Sequence, residues 1–235
     1  MQHVILPALA FVASVVVFES TQIDLAFTRL FWDESAHHWT WGKSWWTNEF
    51  LHSGGAIFIL SIGAVVLLVL AGSFVRDDWR PWRRAALFVA LCMATGPGIV
   101  AIGKDTTNVD CPRQLKIYWA SKPYTRLFED KPDDLPRSRC FPAGHSSGAF
   151  SLVAFYFVLR ERSRRHARAA LGGAIGLGFL WAFGQWTRGA HYPSHDIWSL
   201  AICWFVAVGY YTRLFHCRLW PDDVPDPGGG VPGAA

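Results

Sequence analysis

"SGGAIFILSIGAVVLLVLAGSFV", residues 53–75, runs for twenty-three positions without a charged side chain. About 20 apolar residues suffice for a helix to cross the hydrocarbon core of a bilayer, so this stretch is long enough to span. Five further uncharged blocks accompany it, at 4–18, 85–103, 146–159, 169–187 and 197–212. The blocks at 85–103 and 169–187 also reach spanning length. Those at 146–159 and 197–212 are shorter, but His145 and the polar cluster 191–196 stand at their ends and extend them. One apolar block is as compatible with a buried core helix as with a membrane span; six in 235 residues are not. The sequence therefore reads as an all-α, polytopic membrane protein of six transmembrane helices. The first block lacks the basic flank of a secretory signal, and "VFESTQ" (17–22) is a poor cleavage site, so it counts as a span. Residues 1–220 form a single domain in this reading. The Pro- and Gly-rich residues 221–235 form a disordered cytoplasmic tail.

The arginines orient the chain. "RDDWRPWRR" (76–84) carries four and "RERSRRHAR" (160–168) carries five. Both are short connections between blocks, where an excess of Lys and Arg marks the cytoplasmic side. With six spans both fall on one face, and both termini join them there. Segments 21–52, 104–144 and 188–192 then face outward. The net charge of +4 follows from this segregation and calls for no nucleic-acid partner. Segment 21–52, crowded with tryptophan, reads as an interfacial amphipathic stretch whose His37 and His38 are surface residues.

Three polar clusters all fall on the outward face. "GKDTTNVDCPR" (103–113) follows span three, and "RCFPAGHSSGAF" (139–150) opens span four. "RGAHYPSHDIWS" (188–199) joins spans five and six, with a helical or irregular outward segment between spans three and four. A chance scatter of polar motifs seldom chooses one face three times, so a shared site is expected. Gly144, His145 and Ser146 open a helix, where unpaired amides and the dipole favour an anion. His145 beside such an anion is a candidate proton donor. Pro193 suits a first helical turn, which puts His191 in the turn before span six and His195 and Asp196 in its first turn. Lys104 and Arg188 stand at span ends. Of the five cysteines, Cys92 and Cys203 lie in spans and Cys217 on the cytoplasmic side. Only Cys111 and Cys140 share the outward segment, and a disulfide between them is expected.

Lys104 through Pro112, then Pro142-Ala143-Gly144-His145, then the turn around His191 resemble the three-part signature of the type-2 phosphatidic acid phosphatase family. That signature is written K-x6-R-P, P-S-G-H and S-R-x5-H-x3-D, and the resemblance covers roughly half the chain. It implies a six-helix membrane phosphatase with an outward site and no metal or cofactor. It further implies that His191 attacks phosphorus to form a phosphohistidine. His145 would act as general acid and base, and Lys104 would bind the phosphate. Three positions depart from the signature: Cys111 and Gln185 replace arginines, and His195 replaces the aspartate, with Asp196 one residue on. Arg188 and then Arg113 are the substitutes for the missing arginines, with Arg137 and Arg139 also within reach. Either His195 or Asp196 orients the nucleophile, with spacing favouring His195.

The expected partner is a phosphorylated membrane lipid. Lipid A, a polyprenyl pyrophosphate, phosphatidylglycerol phosphate and phosphatidic acid are the candidates, handled at the outer face of a bacterial inner membrane. Two alternatives use the same residues. A zinc-dependent hydrolase would take His191 and His195 with His145 or Asp196, although Pro193 disturbs the helix such a pair prefers. A lipid phosphotransferase would share the chemistry and change the acceptor.

Overall fold

The computed structural model describes residues 2–132 and 134–220; the tail 221–235 lies outside the described residues. The long uncharged blocks become helices, because in lipid a backbone has to satisfy its own polar groups. They are α1 (Gln2–Ser20), α3 (Gly55–Gly72), α4 (Arg83–Thr106), α7 (Arg164–Trp186) and α8 (Pro193–Gly209). Ser163 starts α7 by accepting from the His166 amide, and Pro193 occupies the first turn of α8. Five helices among the described residues are long and apolar enough to cross a membrane.

The block at 146–159 behaves differently. It forms a helical run in three pieces: α5 (Gly144–Phe150), a tighter turn (Ser151–Val153) and α6 (Ala154–Arg160). This run is the axis of the bundle: Phe150, Val153, Ala154 and Phe157 are wholly buried, packed among α4, α7 and α8. The shortest apolar block is thus the one surrounded by protein. Its serines cost little there, since Ser147 and Ser151 hydroxyls donate to the carbonyls of Gly144 and Gly148, each at 2.6 Å. The outer helices show the opposite pattern. Leu6, Leu9 and Val16 on α1, and Leu60, Leu67 and Leu68 on α3, are exposed, as a lipid-facing surface requires.

The arginine clusters gather at one pole. Arg83 donates to the Ser73 carbonyl, Arg84 to those of Phe215 and Arg218, and Glu161 accepts from the Leu219 amide. Trp82 and Trp220 meet edge to face beside them. The C-terminal end of α4 and the N-terminal ends of α5 and α8 lie at the other pole.

Segment 21–52 caps this second pole. It contains α2 (Ile23–Arg29) and an antiparallel ribbon of β1 (Trp32–Asp33) with β2 (His38–Trp39), then a wide helical turn into α3. Trp32 and Trp39 pack edge-on or tilted against Tyr118 from the segment between α4 and α5, and Phe27 packs on Trp186 at the end of α7. Gly189 sits at φ +62°, where a Cβ would lie 2.2 Å from the Trp39 ring, so only glycine allows this cap to close.

Gly178 on α7 meets the axial run in the same way. A Cβ there would come within 2.1 Å of the Phe150 ring. Gly178→Ala is expected to destabilise the fold by about 1–3 kcal/mol through overpacking. Thermal unfolding in detergent checks this, and adding Phe150→Leu should restore part of the loss.

Candidate active site

The outward segment is built before it can carry chemistry. Asp110 is buried and its Oδ1 accepts from both Lys122 and Lys131 at 2.8 Å, while Ser138 donates to the same oxygen. Burial pushes the Asp110 carboxyl up, but these three donors outweigh it and hold it below its ordinary range. Cys111 and Cys140 are bonded, with Cα atoms 5.3 Å apart, as their shared side of the membrane predicts. Closing this loop of about 30 residues is worth roughly 3–4 kcal/mol in the chain-entropy view.

Backbone bonds then stitch the three motifs together. The Cys140 amide donates to the Val109 carbonyl and the Thr107 hydroxyl to that of Phe141, joining the first motif to the second. The Arg113 amide donates to the Gly189 carbonyl, joining the first to the third. The Ala143 amide donates to the His195 carbonyl, and Ser199 Oγ returns a 2.8 Å bond to the Ala143 carbonyl, joining the second to the third.

His191 and His195 face each other inside this framework, with Nδ1 atoms 3.5 Å apart and only 4% and 3% of their surfaces exposed. The Cys140 carbonyl lies within hydrogen-bonding reach of both rings, and the Cys140 sulfur is 3.6 Å from His191 Nδ1. Burial holds the His191 imidazole neutral well below its usual range, and His195, Lys104 and His145 nearby act in the same direction. Lys104, His145 and His191 are therefore brought together, as the sequence suggests. Gly144 lets Lys104 approach the start of α5, since a Cβ on it would stand 3.3 Å from the ammonium nitrogen.

Asp196 turns elsewhere. Its Oδ2 accepts from Trp186 Nε1 at 2.7 Å, with the Ser146 hydroxyl within reach of the same carboxylate. One helical position rotates a side chain by about 100°, which takes Asp196 off the face that His195 shares with His191. The cations divide as well. Arg188 is half-buried and donates to the Thr47 carbonyl at 3.5 Å, whereas Arg113 is exposed and its charge reaches both Arg188 and Lys104. Arg139 pairs with Asp105 in solvent, and Arg137 donates to the Asp105 carbonyl.

A groove of about 470 Å³ opens beside Lys104 and His145 and is lined by Leu51, Ile59, Met93 and Trp181. For a metal, the donor atoms of Cys140, His191 and His195 lie within 4.8 Å of one another, but the Cys140 sulfur is held in the disulfide.

Asp24 is the residue that sequence reasoning missed. From α2 it reaches the start of α8, accepting from the Ser194 amide at 3.1 Å and from the Ser194 hydroxyl at 2.5 Å. It thus caps the helix that carries His195, across 170 positions of sequence. No local pattern marks it beyond an acid placed in an apolar stretch. Burial raises the Asp24 carboxyl to about 6, against the lowering effect of the Ser194 donors. A carboxyl raised on folding stabilises most when protonated, near and below 3.8, and that contribution is lost as pH rises through about 6. The melting temperature of the native protein relative to Asp24→Asn should therefore fall between about pH 4 and pH 7. A flat difference across that window contradicts the assignment.

The sequence profile of the PAP2 superfamily matches residues 85–218. Over 167 residues the chain is 29% identical to a lipid A 4'-phosphatase of Francisella tularensis subsp. novicida, covering 66% of this chain and 72% of that protein. The fold is similar to the crystal structure of a transmembrane PAP2-type phosphatidylglycerolphosphate phosphatase from Bacillus subtilis. There the TM-score is 0.54 at 17% identity, over 89% of this chain and 96% of that one.

Proposed function

The chain belongs to the PAP2 superfamily and is a membrane phosphatase; from that premise we propose that it removes phosphate from a lipid headgroup at the outer face of a bacterial inner membrane, through a phosphohistidine. The observation that carries the reading is an apolar groove lined by Lys104 and His145 at one pole, with His191 buried close enough to feel both charges. The opposite pole holds the arginine-rich connections, which supports an outward site and six passes of the chain.

In this mechanism His191 Nδ1 faces His195, leaving Nε2 to attack phosphorus as a neutral imidazole, with the Cys140 carbonyl beside the ring. His195 and the carbonyl fix the ring's tautomer and orientation. His145 protonates the departing oxygen and then takes a proton from the water that hydrolyses the phosphohistidine. Lys104, the amides opening α5 at Gly144 and Ser146, and the Arg113–Arg188 pair balance the phosphoryl charge in place of the missing arginines. Asp196 with Trp186 supports the start of α8. The groove receives an acyl chain beside the reacting headgroup. The similarity to a lipid A phosphatase makes a phosphorylated glycolipid the first substrate to test. Phosphatidylglycerol phosphate, phosphatidic acid and polyprenyl pyrophosphate complete the panel.

His191→Ala is expected to abolish phosphate release from every member of that panel. Rapid quenching of the native enzyme with labelled substrate should trap protein-bound phosphate that is acid-labile and base-stable. Near-normal turnover in His191→Ala would overturn the mechanism.

Ile59→Trp places a bulky ring in the groove beside Gly148. It should cut kcat/KM for a long-chain lipid phosphate relative to a short-chain ester by about tenfold or more. An unchanged ratio would remove the groove from substrate binding.

A further inference from the structure

Cys140 does more than staple two motifs, because its sulfur stands against His191 with His195 alongside. We propose that reduction of the Cys111–Cys140 bond converts the site into a zinc-binding centre of Cys140, His191 and His195 that arrests the enzyme. The ligand class is a soft divalent cation, with Zn²⁺ as the case argued.

Geometry carries the proposal. Tetrahedral zinc with Zn–S of about 2.3 Å and Zn–N of about 2.05 Å needs sulfur–nitrogen edges of about 3.5 Å and nitrogen–nitrogen edges of about 3.3 Å. The Cys140 sulfur is 3.6 Å from His191 Nδ1, and that atom is 3.5 Å from His195 Nδ1. Two edges of the tetrahedron already exist without movement, and the third lies within 4.8 Å. All three residues are buried, and a donor set of one thiolate and two imidazoles suits zinc. While the disulfide is intact, the sulfur has no negative charge to offer and the centre is incomplete.

The chemistry balances. The disulfide takes two electrons and two protons from a dithiol, which leaves as its own disulfide, and yields the Cys111 and Cys140 thiols. The Cys140 thiol then releases its proton to solvent as the Zn–S bond forms. Zinc on His191 Nδ1 displaces the partners that orient the ring and sets a dication beside the nitrogen that has to develop positive charge. Attack on phosphorus stops as a result. The phosphohistidine route proposed above has no step on such a metal, so the centre acts as a brake on the phosphatase.

The arrest rests on His191 acting as the nucleophile; the metal centre itself does not. Cys111→Ala leaves Cys140 as a free thiol without any reductant. Titrated with Co²⁺, this variant should bind one ion per chain and develop the thiolate-to-cobalt charge-transfer band and intense visible bands of tetrahedral cobalt. The oxidised native protein and Cys111→Ala/Cys140→Ala should show neither. Zn²⁺ should abolish turnover of Cys111→Ala, a chelator should restore it, and the double variant should not respond to zinc. Native protein treated with a dithiol gives the same spectral readout if Cys111→Ala does not accumulate.

A folded Cys111→Ala, or reduced native protein, that shows no cobalt–thiolate spectrum overturns the centre. Equal zinc inhibition of the double variant overturns the role of Cys140. A cobalt–thiolate spectrum with unaffected turnover keeps the metal site and refutes His191 as nucleophile, so the two readings fail separately.

Discussion

The hydrogen bond from the Ala143 amide to the His195 carbonyl ties the start of α5 to the start of α8, and the site depends on that junction. Ser199 closes it from the other side by donating to the Ala143 carbonyl. Two helix starts held this close bring His145 and the His191–His195 pair to one point, with α4 adding Lys104 alongside. A bundle whose helices met elsewhere would keep every one of these residues and none of the chemistry.

The outward segment meets a different demand. It has little regular structure, and its order comes from a buried carboxylate shared by two lysines together with one disulfide. Buried ion pairs are expensive to desolvate, and their value lies chiefly in admitting a single arrangement. Here that arrangement sets where Cys140 and its carbonyl lie relative to both imidazoles. The Trp-rich cap works toward the same end from the N-terminal side. Its Asp24 finishes the first turn of α8, and its Trp39 ring fills the space that Gly189 leaves open. The placement of His191 thus draws on three segments that share no sequence neighbourhood.

Burial supports function as well as stability here. An imidazole removed from water stays neutral and nucleophilic, and the same burial would be costly without partners on its other ring nitrogen. His195 Nδ1, 3.5 Å from His191 Nδ1, supplies that partner. A histidine in place of the family's aspartate gives up some stabilisation of imidazolium charge. In return, it creates a pair of facing ring nitrogens 3.5 Å apart.

Charge-free length, the segregation of arginines and three ordered motifs are local properties, and they were enough to read a helical membrane phosphatase from the chain alone. The gathering of the three motifs at one pole was expected from the same parity, and the Cys111–Cys140 bond from the segment its two cysteines share. Other features were out of reach because they depend on contacts between distant positions. Periodicity carries no sign that Asp24 will cap a helix 170 residues away or that Asp196 will turn to Trp186. Nor does hydropathy reveal that the shortest apolar block forms the axis of the bundle. A residue's preference for apolar surroundings is the same whether lipid or protein supplies them, and only the packed structure decides which.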